Sequence, residues 1–428
     1  MEFLNIIYFI ILTGVCYSML ISKGKLLRSP FDARDTLRVS GPEMYWIIVF
    51  STGLFAFSFN LGIDMSAIRL FVLMALCGLG FLYTANRPIL STPLKIYCLY
   101  LAWLIIGLIY APSFGYGIRV FLKYLFPLIF CLFASAVISD FAGAFKSAVV
   151  ARLVALIVMI ISFIPFASVV FPDTIWYVTA MVIHFIPMML FSLALVFFTK
   201  ERWQNVLYTM AFLLPCFILT LRTSILGSVV GLMGFSVIRW RVKALPFIAG
   251  LIVLSVVAIF AIPSLRSKMF FDKNVSITAL QQGRISQENV NTNFRSYMWK
   301  KLENGLYKNH EMTGSGTGAT QKFMFDNPRK FSGLRAAHSD FVQMRCDNGM
   351  IGLLLYLAMV LGVFIDCFKI YYRTGDNRIK LFALTAGASI LGIVATCYSD
   401  NTVNYSMATL SIPFGFYGMT LALNKRLS

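Results

Sequence analysis

The chain has 428 residues, of which 59% are hydrophobic and only 13% charged, with a formal net charge of +19. Soluble domains carry charge on about a quarter of their residues, so this composition excludes an ordinary soluble enzyme. The basic residues sit in loops between apolar runs, which reads as membrane topology and excludes nucleic acid as the partner.

Thirteen candidate spans follow in order: 3–21, 44–61, 67–84, 95–111, 117–138, 148–171, 176–199, 204–220, 223–239, 244–262, 349–369, 380–397 and 406–423. Each is long enough to cross a hydrocarbon core, and apolar helices satisfy their own backbone there. The expected fold is therefore an all-α polytopic membrane protein with about 12–13 transmembrane helices. The first run follows Met1-Glu2 and precedes basic residues, the reverse of a signal peptide's charge order, so it is taken as a span.

Alternate loops carry the cations. They are Lys23, Lys25, Arg28, Arg34 and Arg38; Arg87 and Lys95; Lys146 and Arg152; Lys200 and Arg202; Arg239, Arg241 and Lys243; Lys369, Arg373, Arg378 and Lys380; then Lys425 and Arg426. The positive-inside rule makes these cytoplasmic. It puts the N-terminus outside, the C-terminus inside and the polar segment 263–348 outside. The expected organisation is a bundle over 1–262, a large outer loop over 263–348 forming a lid, and C-terminal spans over 349–428. The shortest pair, 204–220 and 223–239, is the weakest point of this layout.

Eight cysteines, at 16, 77, 98, 131, 216, 346, 367 and 397, lie almost all in apolar runs without CxxC spacing, so neither a disulfide framework nor a zinc site is expected.

The outer segment holds the chemistry. A helix is expected near Asn293–Asn304, with Phe294, Met298 and Leu302 on one side, followed by a glycine-rich turn at Gly314–Gly318. That turn lacks a P-loop lysine and follows no strand, so it is read as a tight turn. His338 closes the segment. A helix starting near Ala336 would bring Arg345, Gly349 and Gly352 round to the same line as His338, at about 100° per residue. Small residues let another helix approach, so this stripe is expected to face the bundle. A neutral imidazole there could take a proton from a substrate hydroxyl; equally it could cap a helix start.

Arg222 opens a helix at the outer surface, where free backbone N–H groups favour an anion; snorkelling to lipid is the alternative. Arg119 and Lys123 share one helix face at its outer end and suit either a diphosphate or lipid phosphates. Arg295 lies in the lid, where arginines are commonly solvated. His184 reads as a structural hydrogen-bonding residue and His310 as a surface residue. The outer carboxylates, Glu2, Asp64, Asp173, Asp400 and those of the lid, form no DxD pair. A diphosphate would then be held by arginines rather than by a metal.

At these residues the chain resembles the O-antigen ligase and polymerase family of bacterial envelope glycan transferases. The family signature is His, then Asn, Ser or Gln, nine residues, Gly, two residues, then Gly, Thr or Tyr. It is met by His338-Ser339, nine residues, Gly349, two residues and Gly352. The family's arginine at a periplasmic helix start matches Arg222, and its arginine in the first half of the large loop matches Arg295. The likeness covers residues 200–420 in motif. The chain departs from the twelve-span layout typical of the ligases, which an extra first span would explain.

The resemblance implies a fold similar to the GT-C glycosyltransferases in the bacterial inner membrane, with its site on the periplasmic side. The donor would be an undecaprenyl-diphosphate-linked oligosaccharide. The acceptor would be a lipid-linked sugar, for a polymerase, or lipid A core, for a ligase. His338 would activate the acceptor hydroxyl. Arg222 and Arg295, with Arg345, would hold the leaving diphosphate, with no cofactor or metal and with inversion at the anomeric carbon. A chain-length regulator and the surrounding lipids are further expected partners. The stretches His338–Gln343, Asp347–Gly352 and Arg119–Pro127 look most like capsule and exopolysaccharide polymerases, which favours polymerisation. A lipid-linked oligosaccharide flippase would share the spans and basic residues, but the one-sided lid and lack of an inverted repeat argue against it.

Overall fold

The computed structural model describes residues 91–162, 174–218, 221–270, 295–331, 333–405 and 409–427, with scattered positions from 46 to 90. The expected spans 3–21, 44–61 and 67–84 fall wholly or largely outside these residues, as do the first basic loop, Glu2, Asp64 and Asp173.

The described chain is helical, without β-strands. Its helices are α1 (Thr92–Ile109), α2 (Phe114–Val137), α3 (Phe141–Ser162), α4 (Thr174–Phe198), α5 (Arg202–Ile218), α6 (Arg222–Trp240), α7 (Leu245–Ala261), α8 (Pro263–Met269), α9 (Arg295–Leu302), α10 (Ala319–Asp326), α11 (Asp340–Arg373), α12 (Asn377–Thr396) and α13 (Ser411–Leu427). α1, α2, α11 and α12 are each long and apolar enough to cross a membrane, as is the run Arg222–Ala261. This is a multi-pass membrane protein; α1, α2, α4 to α7, α12 and α13 follow the expected spans to within about five residues, whereas α3 and α11 begin well before theirs.

The run Arg222–Ala261 is a hairpin rather than one rod. Arg241 has a positive φ of 52° at the break, and Arg222 Nη1 donates to the Lys268 carbonyl at 2.8 Å. A straight helix of that length would part its ends by about 60 Å. The weakest pair of the sequence reading, now α5 and α6, is present as two helices. α7 is apolar all round and buries only Phe260, as suits a helix that faces lipid.

The basic residues gather at one end of the bundle, although Lys146 and Arg152, expected in a loop, are buried within α3. Arg152 donates to Asn205 Oδ1 at 2.7 Å, Arg239 to the Tyr371 hydroxyl at 2.6 Å and Arg426 to the Ser135 carbonyl at 3.0 Å. Arg241 stacks on Tyr372 at 3.6 Å. α3 starts earlier than expected because its first half covers this end, with Phe141 packed on Phe382. The lid lies at the opposite end. There Thr317 N donates to the Gly107 carbonyl at 3.1 Å. Met298, Leu302, Met324, Phe331, Ala337, Val342 and Cys346 form its small apolar core.

Closest packing occurs between α6 and α12. In lipid there is little hydrophobic drive between helices, so small residues that admit backbone contact supply the attraction. A Cβ at Gly227 would stand 2.5 Å from Thr396 Cγ2 and 2.8 Å from the Gly392 carbonyl oxygen, and Gly392 faces Gly231 in turn. This seam fixes the start of α6, with Arg222, against the loop that follows α12. Gly227→Leu is expected to cost about 1–3 kcal/mol through overpacking and to lower the thermal unfolding midpoint in detergent. Gly250→Leu on α7, where nothing lies within 4 Å, should leave the midpoint near the wild-type value. Equal midpoints for the two variants would contradict the seam.

Candidate active site

Helix α11 begins later than the sequence suggested. Ser339 is its N-cap, extended at φ −164°, and its hydroxyl accepts from Val342 N at 3.3 Å. The backbone N–H of Asp340 is drawn instead to the carbonyls of Cys397, at 2.9 Å, and Asp400, at 3.2 Å. His338 therefore precedes the helix, with φ at +49°. The expected helix from Ala336, and with it the stripe aligning His338 with Arg345, is corrected: a capping serine overrides the periodic pattern.

A left-handed histidine is uncommon and costs on the order of 1 kcal/mol or more. It is held by its neighbour across the fold, because His338 N donates to Asn401 Oδ1 at 2.5 Å. Asn401 is fixed in turn, its Nδ2 donating to Asp340 Oδ1 at 3.1 Å and Gln343 Oε1 at 3.0 Å. Asp340 is buried, and its second oxygen accepts from Val403 N at 2.9 Å. The segments 338–343 and 397–403 thus form one hydrogen-bonded unit.

That unit brings the charged groups together. His338 Nδ1 lies 3.6 Å from Asp400 Oδ1, both side chains partly open to solvent. Arg295, at the start of α9, donates to the Ser399 carbonyl. Burial lowers the pKa of its guanidinium from the usual value, and the Asp400 charge partly restores it. Thr223 and Ser399 share a hydrogen bond between their hydroxyls at 3.0 Å, which ties the first turn of α6 to the same loop. Arg222 opens α6 as expected, its N-cap Leu221 offers no side-chain cap, and its charge repels that of Arg295. Two guanidiniums held close at an uncapped helix start make a site suited to an anion.

The motif glycines act differently from one another. Gly349 breaks α11 with φ 66° and ψ −169°, and a Cβ there would run into the backbone of Met312 and Gly314. The break frees backbone groups, and the lid satisfies them. Met350 N donates to the Glu311 carbonyl at 2.8 Å and Ile351 N to that of Met312 at 3.2 Å, while Ser315 N and Gly316 N donate to the carbonyls of Cys346 and Asp347. Trp103 Nε1 donates to the Asn348 carbonyl at 2.9 Å. The glycine-rich turn is thus a strap threaded into the helix break. Gly352 is the packing glycine, its missing Cβ allowing Trp103 of α1 to approach.

Arg345 turns to the lid, where it pairs with Glu303 and lies over the Tyr307 ring at 4.9 Å. Arg119 is exposed and Lys123 half-buried on α2. His184 is buried on α4, and His310 is exposed in the lid. The helix expected near Asn293–Asn304 is α9, with Met298 and Leu302 buried. Among the described residues no group of three or more His, Cys, Asp or Glu side chains could share a metal ion.

Sequence reasoning missed the loop Ser399-Asp400-Asn401. Asp400 was noticed only as an outer carboxylate. Three polar residues wedged between two apolar spans, at the end that carries the lid, were the available signal.

No curated protein matches the chain. Residues 207–357, which take in Arg222, Arg295, His338, Gly349 and Gly352, match the family model described as O-antigen ligase. Over that stretch the chain carries a domain of the O-antigen ligase and polymerase family.

Proposed function

We propose that the chain transfers glycan from an undecaprenyl-diphosphate-linked donor to an acceptor sugar hydroxyl at its lid side, the periplasmic face, as an O-antigen or capsular polysaccharide polymerase. The observation that carries this reading is the meeting of His338, Asp400 and Arg295 around one loop, to which Thr223 ties the first turn of α6 beside Arg222.

With Asp400 beside Nδ1, the imidazole keeps its proton there and offers Nε2 as the base. Nε2 takes the proton of the acceptor hydroxyl. The oxygen attacks the anomeric carbon from the face opposite the diphosphate, and the C1–O bond breaks with its electron pair passing to the phosphate oxygen. The configuration inverts. Arg222 and Arg295 hold the departing diphosphate, and this preorganised charge is the larger contribution to rate. Asp400 stabilises the imidazolium that forms. Arg345, paired with Glu303, supports the lid, and Arg119 and Lys123 are left to lipid or to a more distant part of the substrate. The basic residues gathered at the other end support the periplasmic side.

Ligation to lipid A core is the second reading, favoured by the description of the matching family model. Purified protein given lipid-linked repeat units, with and without lipid A core, separates the two. Ladders without core are the expected result; product formed only with core establishes the ligase.

A further inference from the structure

Two aromatic side chains beside the histidine have no part in the steps above. Tyr398 opens the loop that carries Asp400, and it is 58% exposed. Trp299 is half-buried on α9, and its indole Nε1 donates at 2.7 Å to the carbonyl of Ala337, the residue before His338. The two rings meet edge to face, their centroids 6.1 Å apart and their planes at 67°.

Helix α9 sets these rings in line with the cation site. Arg295 and Trp299 are four residues apart and share a helix face. Arg295 reaches the Ser399 carbonyl while Trp299 meets Tyr398. One loop therefore carries an open ring at Tyr398, receives a guanidinium at the Ser399 carbonyl and meets His338 at Asp400, while Trp299 reaches the residue before His338.

The face of an aromatic ring is electron-rich. It attracts the weakly positive C–H bonds on the face of a pyranose through the same quadrupole that attracts cations. Sugar hydroxyls point outward round the ring, so a stacked sugar keeps them free for reaction. The donor's first sugar is tethered to the diphosphate and so to the arginines. The attacking hydroxyl has to lie beside His338, where Trp299 is held by its bond to the Ala337 carbonyl.

We propose that Tyr398 and Trp299 form the stacking subsite for the sugar ring of the acceptor and present its hydroxyl to His338. The proposal rests on the glycan-transfer reading. Tyr398 is the residue to change, because its ring is exposed. Tyr398→Leu keeps an apolar side chain without a π-face, and Tyr398→Phe keeps the face.

The test uses full-length protein in nanodiscs with lipid-linked repeat units as donor. The acceptor is the methyl glycoside of the repeat unit, or core oligosaccharide released from lipid A if the protein proves a ligase. Neither carries a diphosphate, so each serves only as acceptor. In Tyr398→Leu the acceptor KM should rise about tenfold, the scale of one aromatic contact, with kcat and the donor KM little changed. Tyr398→Phe should restore the wild-type KM. An unchanged acceptor KM in Tyr398→Leu, a rise confined to the donor KM, or a wild-type protein that joins lipid-linked units but ignores these acceptors overturns the subsite. A wild-type protein that forms no glycosidic bond from any donor defeats the transfer reading and the subsite with it.

Discussion

Purified His338→Asn protein is expected to transfer glycan roughly 10²–10⁴-fold more slowly than wild type, the usual contribution of a positioned general base. Asparagine is the informative replacement. It tolerates the left-handed backbone that His338 adopts at φ +49°, so the contact from residue 338 N to Asn401 Oδ1 can persist. It cannot accept and keep a proton near neutral pH. His338→Gly should relieve the strain and remain folded, yet be as inactive as His338→Asn. Single-turnover transfer together with thermal unfolding in detergent checks both statements. Near-normal transfer by folded His338→Asn protein would remove the base from the mechanism.

Loss of Arg295 should be comparably severe. Arg295→Ala is expected to lower kcat about 10²–10³-fold, as when one preorganised donor to a developing anion is removed. Its position explains the size. The guanidinium is half-buried, anchored on the Ser399 carbonyl and close enough to Asp400 and Arg222 to feel their charges. Water cannot easily replace it there. Arg295→Lys restores the charge but not the fork of donors that matches phosphate oxygens, so it should recover only a small part of the rate. The acceptor KM should change little in either variant, while inhibition by free undecaprenyl diphosphate should weaken in both. Wild-type inhibition in Arg295→Ala would assign the diphosphate to other residues.

Much of this architecture was legible in the sequence because the bilayer imposes so few solutions. Apolar length marked α1 to α7 and α11 to α13, and charge alternation sorted their ends. The basic residues Arg152, Arg239, Arg241 and Arg426 do gather at the end opposite the lid. The opening of a helix at Arg222 was also readable, since a polar Arg-Thr-Ser step follows an apolar run.

The site was less legible because it depends on long-range contacts that periodicity does not encode. A 3.6-residue pattern carried α11 back to Ala336, but Ser339 and the carbonyls of Cys397 and Asp400 stop it at Asp340. Gly349 looked like a packing glycine on that stripe, whereas the lid strap enters the helix at that point and requires a residue without a side chain. Arg345 was aligned with His338 on the same false stripe, and it pairs with Glu303 instead. Asp400 and Asn401 stand some sixty residues from His338 in the chain, and the packing of α11 on α12, with the bonds from Asp340 N to the carbonyls of Cys397 and Asp400, brings their loop to it.

The central claim, bond exchange at the anomeric carbon with the diphosphate as leaving group, is tested most directly by stoichiometry. Wild-type protein in nanodiscs is supplied with radiolabelled lipid-linked repeat units and acceptor, and the glycosidic bonds formed are counted against the undecaprenyl diphosphate released. The expected result is one molecule of undecaprenyl diphosphate for each new bond. Intact lipid-linked units with no release, but movement across the bilayer when the same protein is placed in sealed vesicles, would contradict the account and make the protein a transporter.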